Sequence, residues 1–177
     1  MSGAYLLALT SAHTPTVLAL TRQALPQLAN TTFEGVAHGG YTILGADNAA
    51  PNVILAASGS EVSLCVKAAE VLAAAGVHAR VVSVPCLDIF LAQPAEYRAS
   101  VLPDGVPVLA VEAAAMAGWE AVSHAQHGMT TFGASGPLAG LLAHFHFTPA
   151  DVAAKARRLV EYYASHAVPA LSRPCLA

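Results

Sequence analysis

Along the chain the hydrophobic positions fall into continuous runs, separated by stretches with helical spacing. Two runs rich in β-branched residues come first, PTVLALT from Pro15 to Thr21 and NVILAAS from Asn52 to Ser58, and each predicts a buried strand. Between them lie the short GGYTILG and a turn signal at Asp47 and Asn48. EVSLCVKAAEVLAAAG follows, with Ser63, Lys67 and Glu70 on one stripe and apolar residues or alanine elsewhere. That spacing predicts a helix buried over most of its circumference and ended by Gly76. HARVVSVP then predicts a strand, PAEYRASVLPDG a short helix closed by a turn, and VPVLAVEA a further buried strand. In TPADVAAKARRLVEYYAS, Thr148 is the expected N-cap with Pro149 in the first position. Val152, Ala156, Leu159, Val160 and Tyr163 form its apolar face, opposite Lys155, Arg157, Arg158 and Glu161. Strands without alternation, spaced by helices, predict one α/β domain whose mostly parallel sheet is covered on both faces.

Composition narrows the function classes. The 177 residues are 55% hydrophobic and 11% charged, enough apolar material for one domain with its own core. A formal charge of -3 provides no basic face to neutralise a run of phosphates, which argues against nucleic acid as a partner. No apolar run reaches the roughly 18 residues of a membrane span. A charged fraction this far below the usual value of about 25% points to apolar surface hidden against another chain or domain. Cys65, Cys86 and Cys175 are odd in number and lack metal spacing, which suits a reducing intracellular compartment. The N-terminus has an apolar stretch without a basic lead-in and reads as folded chain, not as a signal or transit peptide.

AASGSEVSL, Ala56 to Leu64, resembles a phosphate loop at first sight. It offers one glycine and no lysine, whereas a phosphate loop needs several converging backbone N–H groups. Ser58 and Glu61 instead have capping-box spacing, and Glu61 would repel a phosphate, so a structural cap is expected. His124 and His127, and His144 and His146, are close in sequence but lack a third ligand placed by spacing, and packed or surface roles are expected of them. No Gly-x-Ser-x-Gly elbow anchors a hydrolase triad. FGASGP, Phe132 to Pro137, reads as a turn before a helix. Arg22 stands at the end of the run predicted as a buried strand, where open α/β sheets place ligand groups. Its forked donors suit a phosphate or carboxylate, with a structural salt bridge as the alternative.

LALTRQALPQL, GGYTIL, NVILAASGSEVSL, ARVVSVP, YRASVLPDGVPVLAVEA and GMTTFGASGP, in this order and spacing, resemble the C-terminal region of transketolase over nearly the whole chain. Related 2-oxoacid dehydrogenase β subunits and deoxyxylulose phosphate synthases share that fold, but Thr-Arg-Gln-x-Leu-Pro and Tyr-Arg-x-Ser-Val-Leu-Pro point to transketolase. The resemblance implies a three-layer α/β/α sandwich around a five-stranded, mostly parallel sheet with one antiparallel strand, GGYTIL. It implies residues 1–22 as the tail of a preceding, pyrimidine-binding domain and 23–177 as the C-terminal domain. It further implies two-carbon ketol transfer between sugar phosphates by the complete enzyme, as in the pentose phosphate pathway and Calvin cycle. Thiamine diphosphate and a divalent cation, Mg or Ca, would lie between the subunits of a homodimer in the cytoplasm or an organelle such as the plastid. Arg22 matches the arginine that holds the substrate phosphate, with Thr21 in place of the usual serine. The Gly-Asp-Gly diphosphate and metal motif is absent, so no catalytic, cofactor or metal residue is assigned and the chain alone is expected to be inactive. Two other readings are a stand-alone, non-catalytic interaction or structural module with this fold, and a regulatory domain binding a sugar phosphate through Arg22.

Overall fold

A computed structural model describes residues 1–47 and 50–171; Asn48 of the expected turn and Cys175 lie outside them. The chain forms helix α1 (Ser2–Thr10), α2 (Phe33–Ala37), strands β1 (Tyr41–Leu44) and β2 (Val53–Ala57), helix α3 (Glu61–Ala74), and strand β3 (Ala79–Ser83). Helices α4 (Leu87–Leu91) and α5 (Ala95–Val101), strand β4 (Val108–Val111), a 3₁₀ turn at Trp119–Ala121, strand β5 (Ala125–His127), and helices α6 (Leu138–His144) and α7 (Pro149–Tyr163) complete it.

The sheet order is β1-β3-β2-β4-β5, with β1 antiparallel to β3 and the other neighbours parallel. Both faces are covered, which explains the unbroken apolar runs. Val53, Leu55, Ala57, Val81, Leu109 and Val111 pack with α3 and α7 on one side. Ile54, Ala56, Val82, Val108 and Ala110 pack with Phe90, Val101, Leu102 and Trp119 on the other. Three layers result, with GGYTIL as the antiparallel member. Arg80 on β3 is buried and its guanidinium donates to the carbonyls of Gly45, Ser100 and Val101, tying the end of β1 to the end of α5.

The helix ends follow the local chemistry. Thr148 caps α7 by accepting from the Asp151 N–H at 3.2 Å, with Pro149 in the first turn. After α3, Gly76 takes φ +75 while its N–H and that of Val77 close onto Ala73 and Leu72, which is the left-handed stop expected of it.

Two local expectations fail. Ser58 and Glu61 do not form a capping box: Ser60 is the N-cap of α3, without a side-chain cap bond, and the Ser58 hydroxyl donates instead to Glu112 Oε2 at 2.6 Å. The run Pro15–Thr21 is not a strand. Among the described residues it has no ladder partner and no main-chain hydrogen bond, and its Val17 and Leu20 are 90% and 62% exposed. β-Branched composition measures fit to a partner surface more than a backbone preference, and nothing among the described residues supplies that surface. The fifth strand is β5, whose sequence is mostly polar.

Candidate functional site

After β2 the chain turns to one side, through α3 into β3. From β3 it crosses to the other side of β2 and forms β4. The crevice at the C-terminal ends of β2 and β4 is therefore the topological switch point, where open α/β sheets place ligands. Ser58 follows β2, Glu112 follows β4, and Glu61 opens α3 beside them. Glu61 is only 8% exposed and its Oε1 accepts from the Ser60 hydroxyl at 2.7 Å.

Burial pushes the Glu112 carboxyl up to about 7, against the pull of the Ser58 hydroxyl; the charge of Glu61 and a hydrogen bond between the two acids push the same way. Behind them burial, then the two acids, hold the Cys65 thiol far above its ordinary range, so it is an inert core thiol. Next to this corner lies a cavity of about 310 Å³ lined by Ser60, Glu61, Ser63, Leu64 and Lys67 of α3, by residues 23–26, and by Leu138, Leu142, Phe147 and Pro149.

A carboxyl whose folded value stands above its unfolded one holds its proton more tightly in the native state. That stabilisation is present at low pH and is lost as pH rises from the ordinary glutamate range through about 7. Glu112→Gln keeps the shape without the charge. It is expected to match the unaltered chain near pH 5 and to exceed it by about 1–2 kcal/mol near pH 8, a figure discounted for solvent screening. Urea unfolding at the two pH values checks this, and a difference that does not change with pH would contradict it.

Arg22 is not at the end of a buried strand, because the strand does not form. It lies exposed in a bend, and among the described residues no hydrogen bond or ion pair holds it. The neighbouring Thr21 hydroxyl donates to the Gln23 carbonyl at 3.0 Å. Arg22 is outside the lining of the cavity next to the switch point, although Gln23 is part of it. Glu112 was missed in the sequence. The signal that drew attention to Arg22, a charged residue closing an apolar strand, applied better to VPVLAVEA.

The histidines have structural partners. His124 Nδ1 accepts from the Val108 N–H at 2.9 Å, and His127 Nε2 donates to the His146 carbonyl at 2.9 Å. Burial holds His127 below its usual range. Among the described residues no three His, Cys, Asp or Glu side chains come together as a metal set. The acidic pair Glu61 and Glu112 at the switch point opposes a diphosphate there, so this corner does not fit thiamine diphosphate. No helix among the described residues is long and apolar enough to cross a membrane.

Fold and corner together define an α/β/α domain of doubly wound type with one antiparallel strand at the sheet edge. Residues 39–148 match the family described as the transketolase-like C-terminal domain. The chain is 50% identical over 163 residues to transketolase 1 of Candida albicans, covering 92% of this chain and 24% of that protein. It is 47% identical to transketolase 1 of Saccharomyces cerevisiae with the same coverage. The crystal structure of Pichia stipitis transketolase in complex with sedoheptulose-7-phosphate superposes with TM-score 0.93 at 45% identity, covering 98% of this chain and 25% of that one. Transketolase from Leishmania mexicana gives 0.89 at 45% identity, over 95% of this chain and 25% of that one. The chain belongs to the transketolase family and carries its C-terminal domain, spanning about a quarter of the length of these relatives.

Proposed function

We propose that this chain works as the C-terminal domain of a transketolase, which moves a two-carbon ketol unit between sugar phosphates, and that it supplies packing surface and Arg22. The observation that carries this reading is 50% identity across 92% of the chain to a transketolase four times its length. The Pichia stipitis enzyme, crystallised with sedoheptulose-7-phosphate and, in further structures, with xylulose-5-phosphate and fructose-6-phosphate, supports sugar phosphates as the substrate class.

In the complete enzyme, in the cytoplasm or an organelle, thiamine diphosphate and a divalent cation would supply the carbanion chemistry from other domains. This chain assigns no residue to them and is inactive alone. Its partners are then the remaining domains and a homodimer mate. Exposed Leu6, Leu9, Val17, Leu20 and the 98% exposed Phe132 are the surface that such neighbours would cover. Residues 1–22 would close the preceding domain and 23–177 form this one, with α1 laid on α2 where Gly3 meets Val36.

Arg22 is an exposed guanidinium on a stretch without ladder bonds, free to fork onto a phosphate. A charge-assisted bond of about 1.5–3 kcal/mol corresponds to roughly a ten- to hundred-fold effect. Arg22→Ala in a complete enzyme is therefore expected to raise KM for phosphorylated substrates by about that factor, with a smaller change in kcat and little effect on an unphosphorylated donor. Unchanged KM for the phosphorylated substrates would remove Arg22 from the site.

A further inference from the structure

We propose that the cavity at the start of α3, next to the switch point between β2 and β4, binds a small organic cation, a primary ammonium or amidinium on an apolar body, with Glu61 as its anchor. The proposal is independent of the role given to Arg22. At about 310 Å³ the cavity has the size of a small-molecule site. Its lining is mainly apolar, including Leu64, Leu142, Phe147 and Pro149, with Ser60 and Glu61 among its polar members. Such a surface takes an apolar body and fixes its orientation through one polar head.

The charge of Glu61 selects the sign of the head. Glu61 is more than nine-tenths buried, so its interaction with an incoming cation is little screened by water. Lys67 also lines the cavity but is exposed, and water screens its charge. A carboxylate has about four acceptor sites, and the Ser60 hydroxyl and Glu112 do not fill them. The ammonium would take the place that the Glu112 proton holds beside Glu61, and that proton would leave to solvent.

The ionisable groups around Glu61 are Glu112 just after β4, and Cys65 and Lys67 from α3. Ser58 faces the pair from β2 and is uncharged. Residues 23–26, α6 and the 147–149 segment contribute only uncharged side chains to the lining.

The test is an NMR titration of the 177-residue chain with benzylammonium near pH 6 and near pH 8. Binding at millimolar concentration is expected, with amide shifts centred on Ser60, Glu61, Leu64 and Gln23. It should be about tenfold tighter near pH 8, because the competent deprotonated fraction rises about that much across a value of about 7. Glu61→Gln should lose most of the affinity, and Glu112→Gln, whose amide keeps a donor beside Glu61 as the protonated acid does, should bind at the weak pH 6 level at both pH values. No shifts in the unaltered chain, equal binding of uncharged benzyl alcohol, or a pH dependence that persists in Glu112→Gln would each overturn the proposal. The last two comparisons stand even if Glu61→Gln fails to fold.

Discussion

Gly39→Ala is expected to destabilise the chain by about 3–5 kcal/mol, a large part of the 5–15 kcal/mol that holds a domain folded. Two costs add at this position. Gly39 has φ +76, a conformation that an L side chain adopts only at a penalty of about 1–2 kcal/mol. A methyl group would also sit 2.5 Å from the Cys86 carbonyl oxygen and 2.6 Å from the Phe90 backbone nitrogen. Those atoms cannot yield cheaply, because the Cys86 N–H bonds to the Gly39 carbonyl at 3.1 Å and the Phe90 N–H to the Cys86 carbonyl, also at 3.1 Å. Moving them would break the start of α4 and displace the fully buried Phe90. Gly76→Ala is the matching control: φ is +75 but nothing lies within 4 Å, so only the conformational penalty remains. Urea unfolding of both variants separates the two costs, and equal losses would show that the close contact contributes nothing.

Leu55→Ala is expected to cost about 2–5 kcal/mol. Leu55 sits in the middle of β2, itself the central strand, with no exposed surface. Its backbone is fixed by pairing on both sides, opposite Val81 of β3 and Leu109 of β4. The side chain packs into the layer formed by α3 and α7, and a ladder held from both edges cannot move inward to fill the void. The removed atoms lose their burial and the cavity remains. Val71→Ala on the outer side of α3, where the side chain is 45% exposed, should stay within about 0.5 kcal/mol. Thermal melts of the pair check the contrast, and a loss under about 1 kcal/mol for Leu55→Ala would mean that the layers can close over the gap.

The elements visible in the sequence were those whose signal is local. β2, β3 and β4 show as unbroken apolar runs because both of their faces are covered, and α7 shows through its Thr-Pro cap and its apolar face. What stayed hidden depends on distant partners. The three residues of β5 are a strand only because β4 runs beside them, with Leu109 opposite Ala125 and Val111 opposite His127. Ser58 and Glu61 have the spacing of a cap, but a carboxylate 54 positions further on captures the serine. The apolar run at 15–21 carried the opposite error, since its composition records a covered surface that the rest of the described residues do not provide. The sequence offered Arg22 as a forked donor at the end of a buried strand, while its exposed place in a bend, outside the cavity, depends on a strand that does not form. Glu112 became significant only when the strand order placed it beside Glu61.

The two edges of the sheet have a consequence for how this domain can join to others. One edge is β1, four residues long, with its register against β3 shifting between Thr42 and Leu44. The other is β5, only three residues long. Short and irregular edges are poor templates for a further strand. Extension of the sheet by a foreign chain is thus discouraged at both ends, which protects against edge-to-edge aggregation. Assembly with neighbouring domains is left to side-chain surfaces, whose shape and chemistry can discriminate between partners where a bare backbone ladder would accept almost any.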